Sequence, residues 1–302
     1  MQVKDYPVVI LAAGKGRRFG NQFGKLNKTL LPLFDEHTIL DTLLFKIISQ
    51  GVSQVKIIAG YKSGNIIAYI KSLKEIIKNK RLLADISQLF LTCDIKIYKA
   101  GMNYKKGPLY TLLTLNQLLP MSSRDQLKTE RIYFTVIPSD TIFSGGILEQ
   151  ILSLKFQKEG FEAKNSELEQ CHLFAINITP KSVKSLVEHQ NFSFTSIIIS
   201  EDKIIKFEKY IKQKSNDEQD YLILLPLTFV SSGFLKYSES ILGRGVNKLM
   251  DAVENFLEDG NKIRIHKLSY KFKGTAPFLD VDDKSTYNRV LELGKNFIIG
   301  KI

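Results

Sequence analysis

The sequence predicts a three-layer α/β fold, and three observations carry that prediction. Short apolar runs alternate with amphipathic stretches through roughly the first half of the chain, the pattern left by parallel strands joined by crossover helices. The runs are short and rich in β-branched or aromatic side chains, as buried strands are. The stretches between them place apolar residues at helical spacing, so each presents one face to a sheet.

Taken in order, the strands of the first half are Val8 to Leu11, Gln54 to Ala59, Asp94 to Tyr98 and Ile132 to Ile137. Helices are expected at Ile39 to Ser49, with Gly51 closing it, then at Ile66 to Lys78 and at Leu109 to Leu119. That order is Rossmann-like, with helical layers on both faces of a central sheet. After Asp140 the pattern is mixed. Strands are expected at Cys171 to Asn177, Ser196 to Ser200, Ile204 to Lys209, Leu222 to Ser231 and Lys262 to Tyr270. Helices are expected at Lys181 to His189, Val246 to Leu257 and Lys284 to Leu293, and the polar run 212–220 reads as an exposed loop.

Composition narrows the function classes. A chain of 302 residues with 44% hydrophobic content can bury one large core or two modest ones, and it reads as one domain, 1–302, with room for an embedded subdomain. The net charge of +12 comes from scattered lysines. Runs such as Lys71 to Lys80 interleave apolar residues at helical spacing and form solvated helix faces. No nucleic-acid motif or aromatic-basic stripe accompanies the charge, so nucleic acid is not an expected partner, whereas small phosphorylated ligands are. The longest apolar stretch, Tyr221 to Val230, is interrupted by Pro226 and falls well short of the ~20 residues of a membrane span. With no signal-peptide pattern at the N-terminus, a cytoplasmic setting without membrane attachment is expected. Cys93 and Cys171 read as buried thiols, and His37, His172, His189 and His266 show no ligand spacing.

Chemistry enters where the first strand runs into Gly14-Lys15-Gly16-Arg17-Arg18. Glycines there let the chain turn tightly and bring backbone N–H groups close to an anion, and the arginines add bidentate phosphate donors. A dinucleotide fingerprint would need a third glycine where Phe19 stands, and a P-loop would need Gly-Lys-Ser/Thr closing a longer loop. Downstream, Lys28 stands directly before Thr29-Leu30-Leu31-Pro32-Leu33. Asp140, at the carboxyl end of the fourth strand, stands where open α/β sheets gather their ligands.

Leu11 to Phe19 followed by Lys28 to Leu33 resembles the signature of sugar-phosphate nucleotidyltransferases, Leu-Ala-Ala-Gly-x-Gly-x-Arg and then Lys-x-Leu-Leu-Pro. That superfamily also holds the molybdopterin guanylyltransferase-like enzymes. The similarity continues through Ile57 to Tyr61, Gly107-Pro108-Leu109, Val136 to Phe143, and Ile204 to Lys209. It goes on through Ser232-Gly233-Phe234, which resembles the turn before a strand, then Leu249 to Ala252 with Glu258 to Gly260, and Phe278 to Asp282. The fold it implies is a Rossmann-like three-layer α/β/α fold with a mixed central sheet and a small acceptor-binding subdomain. Residues 1–145 would form the nucleotide-binding half and 146–302 the acceptor-binding half.

The resemblance implies transfer of a nucleotidyl group from a nucleoside triphosphate to a sugar 1-phosphate or similar small phosphorylated acceptor, with release of pyrophosphate. An alcohol phosphate or a pterin is the alternative acceptor, and a catalytically silent sensor of sugar nucleotides the alternative class. Residue by residue it implies Arg18 and Lys28 as catalytic cations; Leu11, Ala12, Ala13, Gly14, Gly16 and Gly107 around the nucleotide; Glu208 and Lys209 at the acceptor; and Asp140 and Asp280 holding Mg²⁺. Asp282 and Asp283 are rivals to Asp280, Lys25 is a rival to Lys28, and the role of Arg17 stays open. Ser139, Tyr210, Met250 and Phe278 depart from the family pattern, where it carries glycine, proline, threonine and tryptophan. None of these removes a charged group.

Overall fold

The computed structural model describes residues 6–19, 26–34, 37–80, 84–117, 132–144, 146–156, 171–190, 194–200, 203–209, 221–271 and 276–299. The expected loop 212–220, Lys25 and Tyr210 lie outside the described residues.

The four strands of the first half form where its pattern predicts them. Strand β1 (Val8–Ala12) is followed by two short strands, β2 (Pro32–Phe34) and β3 (His37–Thr38), and then by helix α1 (Ile39–Ser49). Thr38 starts α1 by accepting from the Asp41 amide while the Asp41 side chain reaches back to the Thr38 amide, a reciprocal cap. Gly51, at φ 77°, takes the left-handed conformation past the end of α1 and donates to the Ile48 carbonyl. Then come β4 (Gln54–Ala59), α2 (Ser63–Lys80), α3 (Ala84–Thr92), β5 (Asp94–Lys99), α4 (Pro108–Leu112) and β6 (Tyr133–Pro138). β1 lies parallel to β4 on one side and β6 on the other, and β5 extends the sheet beyond β4.

The second half adds β7 (Thr141–Phe143), α5 (Ile147–Phe156), β8 (Cys171–Ile178), α6 (Pro180–Gln190), β9 (Thr195–Ser200), β10 (Lys203–Lys209), β11 (Tyr221–Ser231), α7 (Ser232–Ser240), α8 (Leu249–Glu258), β12 (Ile263–Leu268), β13 (Phe278–Asp280) and α9 (Lys284–Ile299). β11 joins the halves by running antiparallel to β6. The main sheet runs β10-β9-β11-β6-β1-β4-β5, with β8 on β11 and β12 on β8. It is therefore mixed. Pro226 lies within the stretch of β11 where its register with β8 shifts between Leu224 and Thr228, as expected of a residue that cannot donate to a ladder.

The three layers follow from the side-chain period of a strand. Val8, Ile10 and Ala12 face one apolar cluster with Leu40, Leu44 and Ile47 of α1, Ile66 of α2 and Val290 of α9. Val9 faces a second cluster with Leu109 and Leu112 of α4, Phe234 of α7 and Phe256 of α8. A strand covered on both faces carries an unbroken apolar run, which is why Val8 to Leu11 stands out in the sequence.

Some local expectations are corrected. Leu109 to Leu119 is not one helix: α4 ends at Leu112 and passes into a 3₁₀ segment, Leu113–Gln117. Ser232-Gly233-Phe234 is not a turn before a strand but the first turn of α7, started by the Ser231 hydroxyl accepting from the Phe234 amide at 3.2 Å. Helices α3 and α5 and the paired strands β7 and β13 have no counterpart in the sequence reading. β7 and β13 have three residues each, too few for periodicity to register.

Candidate functional site

The glycine-rich turn leaves β1 at Ala12. Gly16 stands at φ 63°, and the Phe19 amide donates to its carbonyl at 3.1 Å. The Lys28 side chain lies against this turn. A methyl group on Gly16 would sit 3.3 Å from Lys28 Cβ, and one on Gly14 3.5 Å from Lys28 Cε. Gly16 thus leaves room for the Lys28 stem, while a methyl group on Gly14 would meet that stem at ordinary contact distance.

Lys28 opens a 3₁₀ segment, Lys28–Leu30, that leads into β2. Its position is set by Asn27, whose side chain is buried. Asn27 Nδ2 donates to the Tyr61 carbonyl at 2.7 Å, and its Oδ1 accepts from the Thr29 amide at 3.1 Å and the Thr29 hydroxyl at 3.0 Å. Tyr61 in turn donates its amide to the Ala13 carbonyl at 3.2 Å. The ends of β1 and β4 and the Lys28 turn are thereby joined. The sequence reading did not single out Asn27; its signal, an asparagine directly before a helical turn, is that of an N-cap.

Asp140 follows β6, and β7 begins at the next residue. β7 pairs antiparallel with β13, which sets Asp280 opposite Thr141. The Val281 amide donates to the Asp140 carbonyl at 2.8 Å, and the Thr141 hydroxyl donates to Asp280 Oδ1 at 2.5 Å. Two carboxylates far apart in sequence therefore share one crevice. Burial, reinforced by the neighbouring Asp140 charge, pushes the Asp280 carboxyl up to about 7. Lys28 forms an ion pair with Asp140 and a second, at 3.2 Å, with Asp282. Burial works against its ammonium, but the two carboxylates outweigh that and hold its pKa above the ordinary lysine value.

The three aspartates at the end of β13 do different things. Asp280 packs beside Asp140. Asp283 accepts the Thr286 amide at 2.8 Å and so starts α9, while the Asp282 and Asp283 amides donate to the Thr286 hydroxyl at 3.2 Å each. Asp282 sends its carboxylate to Lys28 and, at 2.9 Å, to Arg18. Ser139, where the resembled pattern has glycine, is buried and donates its amide to the Leu11 carbonyl at 3.1 Å.

Beside the turn a cleft of about 470 Å³ is lined by Lys15, Gly16, Arg17, Tyr61, Tyr104 and Lys105. Lys15 and Lys62 stand 5.8 and 5.2 Å from the centre of the Tyr61 ring. Arg17 thus lines the cleft rather than pairing with the carboxylates. Tyr104 and Lys105, which no motif flags, belong to a 3₁₀ segment, Gly101–Lys105, that leads to Gly107. Gly107 stands at φ 134° ahead of α4, so close to the Asn247 carbonyl that a methyl group there would lie 2.6 Å from it.

Glu208 and Lys209 end β10, paired with Ser196 and Thr195 of β9. The Ser196 hydroxyl donates to the Glu208 carbonyl at 3.1 Å, and Lys206 Nζ lies 3.7 Å from the Glu208 carboxylate. β10 ends the sheet path, with β9 and β11 between it and β6. Both cysteines are buried thiols outside any disulfide, and among the described residues no three His, Cys, Asp or Glu side chains converge as a metal cluster. Among those residues no helix is long and apolar enough to cross a membrane.

Residues 8–94 match the family model of the MobA-like NTP transferase domain. No curated protein matches the chain by sequence. Among solved structures, a Bacillus anthracis protein assigned as a glucose-1-phosphate thymidylyltransferase, in complex with sucrose, aligns with TM-score 0.61 and 18% identity over 98% of this chain and 97% of its own. The inositol-1-phosphate CTP transferase of T. maritima aligns with TM-score 0.58 and 12% identity over 97% and 99%. A UDP-glucose pyrophosphorylase complexed with UDP-glucose aligns with TM-score 0.58 and 17% identity over 95% and 97%. The chain has the nucleotidyltransferase fold.

Proposed function

We propose that this chain, a member of the nucleotidyltransferase superfamily by fold, transfers the nucleotidyl group of a nucleoside triphosphate to a sugar 1-phosphate or similar small phosphorylated acceptor. The observation that carries the reading is the meeting of Lys28 with Asp140 against the glycine turn, with Asp280 alongside. Such a reaction needs alignment and charge neutralisation rather than a side-chain nucleophile. An acceptor phosphate oxygen bonds to the α-phosphorus, the bond from that phosphorus to the bridging oxygen breaks, and pyrophosphate leaves with the electron pair.

In this reading the backbone from Leu11 to Gly14, with Gly16 and Gly107, holds the nucleotide. Lys28 draws charge from the reacting phosphoryl group and Arg18 from the leaving pyrophosphate. Asp140 and Asp280 would hold Mg²⁺, which supplies charge neutralisation at the phosphates. Their chemistry fits: hard oxygen donors, one of them raised in pKa by burial beside the other's charge, and Mg²⁺ is commonly bound through one or two carboxylates plus substrate phosphates. Residues 1–145 would serve the nucleotide and 146–302 the acceptor, with Glu208 and Lys209 as acceptor contacts. A cytoplasmic setting, as expected from the sequence, is part of this reading.

A second reading, with a pterin or an alcohol phosphate as acceptor, is favoured by the MobA-like match over residues 8–94 and by the inositol-1-phosphate CTP transferase among the structural neighbours. Pyrophosphate release, measured across the four nucleoside triphosphates with a panel of sugar 1-phosphates, alcohol phosphates and a pterin, separates the two. Turnover with a sugar 1-phosphate is expected, and turnover with a pterin alone assigns the second reading. If Asp140→Asn leaves all turnover unchanged, the enzyme reading fails.

A further inference from the structure

We propose that Asp282 is an internal anion that holds the phosphate-binding ends of Arg18 and Lys28 until an incoming polyphosphate displaces it. The inference rests on the reading of the glycine turn as a triphosphate cradle and adds a control to it.

The carboxylate of Asp282 is divided between the two cations, Oδ2 lying 2.9 Å from Arg18 Nη1 and Oδ1 3.2 Å from Lys28 Nζ. These are the donors that the proposed reaction assigns to phosphates. A carboxylate oxygen and a phosphate oxygen accept from guanidinium and ammonium groups in the same way, so both cannot hold the same N–H groups at once.

The local backbone frees Asp282 for this task. Its amide is engaged by the Asp280 carbonyl at 3.0 Å and the Thr286 hydroxyl at 3.2 Å, and the capping of α9 belongs to Asp283. The side chain therefore has no part in starting the helix. It is also accessible: the Asp282 side chain is 44% exposed and that of Arg18 71%. A pair so exposed is weak and readily exchanged. Lys28, by contrast, is largely buried and keeps Asp140 as a partner when Asp282 lets go.

Two consequences follow for ligands. Asp282 keeps both cations at the mouth of the turn before a ligand arrives, which reduces the ordering required on binding. It also competes with the ligand, by occupying the donors and by like-charge repulsion. A competitor of this kind weakens pyrophosphate as well as triphosphate and so favours release of the product.

The test is calorimetric titration of inorganic tripolyphosphate and of pyrophosphate, each with and without Mg²⁺, into the full-length protein and its D282N and D282S variants. Far-UV circular dichroism checks that the variants are folded. Both should bind tripolyphosphate about three- to tenfold more tightly than the unaltered protein, with and without Mg²⁺, as expected for release of one exposed and one half-exposed ion pair. In turnover the KM for the nucleoside triphosphate should fall without a rise in kcat. Equal or weaker binding by the variants overturns the inference. Weakening confined to the Mg²⁺ titrations overturns it as well and makes Asp282 a metal ligand. If the unaltered protein binds polyphosphate and the variants are no tighter, only the role of Asp282 falls. If no form binds any polyphosphate, the cradle reading falls and the inference with it.

Discussion

The Asn27 carboxamide donates to the Tyr61 carbonyl at 2.7 Å, and that bond ties the turn carrying Lys28 to the chain leaving β4. Asn27 is fully buried and also accepts from the Thr29 amide and hydroxyl. Asn27→Ala would leave these groups without their partner in a water-poor setting, at a cost of about 1–3 kcal/mol. Chemical denaturation should show that loss. Nucleotide turnover should fall further than the loss of folded protein explains, because Lys28 is no longer held against Asp140. A variant with unaltered stability and turnover would show that Asn27 does not position Lys28.

Close backbone approach sets the next expectation. A methyl group on Gly60 would lie 2.5 Å from Tyr104 Cβ and 2.8 Å from Ala13 Cβ, atoms fixed to the main chain of the Tyr104 segment and of the glycine turn. Gly60→Ala must therefore push the Tyr104 segment away from the glycine turn. It should destabilise the fold by about 1–3 kcal/mol and weaken nucleoside triphosphate binding, read as a reduced thermal shift at saturating ligand. An unchanged ligand-induced shift would argue that the cleft lined by Tyr61 and Tyr104 is not where the nucleotide sits.

The Asp140–Asp280 pair predicts a trade of activity against stability. Burial and the Asp140 charge disfavour the ionised form of Asp280, so Asp280→Asn relieves a strained site. In chelator-treated protein above pH 7, the variant should melt at a higher temperature than the unaltered chain while losing pyrophosphate release. A lower melting temperature would mean that the hydrogen bond from Thr141 outweighs the repulsion.

His266 supplies the pH dependence. Its ring lies between Phe174 and His172, with His172 Nδ1 at 3.0 Å from His266 Nε2. Burial first, and the charge of Arg264 second, lower its pKa from 6.5 to about 4. The unfolded chain therefore takes up this proton before the folded one. The stability that His266 contributes is fully present above pH 6.5 and is lost progressively as pH falls toward 4, the slope having the sign of the unfolded state's proton excess and opposing that of Asp280. On going from pH 7 to pH 5, urea unfolding should show that His266→Gln loses less stability, or gains more, than the unaltered protein. An identical effect would exclude His266 as a source of the acid sensitivity.

Much of the fold can be read from the sequence because its signals are local. The covered strands of the first half appear as unbroken apolar runs, the amphipathic helices keep their period, and Gly51 takes the left-handed position expected of it. The same locality explains what is missed. α4 passes into a 3₁₀ segment inside a continuous helical pattern, and β7 and β13 are too short to show a period.

For the candidate site, the sequence by itself determined the cast: the glycine turn, Lys28 before Leu-Leu-Pro, an aspartate after the fourth strand and a run of aspartates near the end. These depend on residue type and on neighbours a few positions away. Only the tertiary structure decided how the last aspartates divide, with Asp280 beside Asp140, Asp282 on Arg18 and Lys28, and Asp283 starting α9. That division is set by the pairing of β7 with β13, which brings Thr141 and Asp280 together across 139 positions of chain. A carboxylate's role follows from its burial and its charged neighbours, and those neighbours arrive through long-range strand pairing that local sequence does not encode.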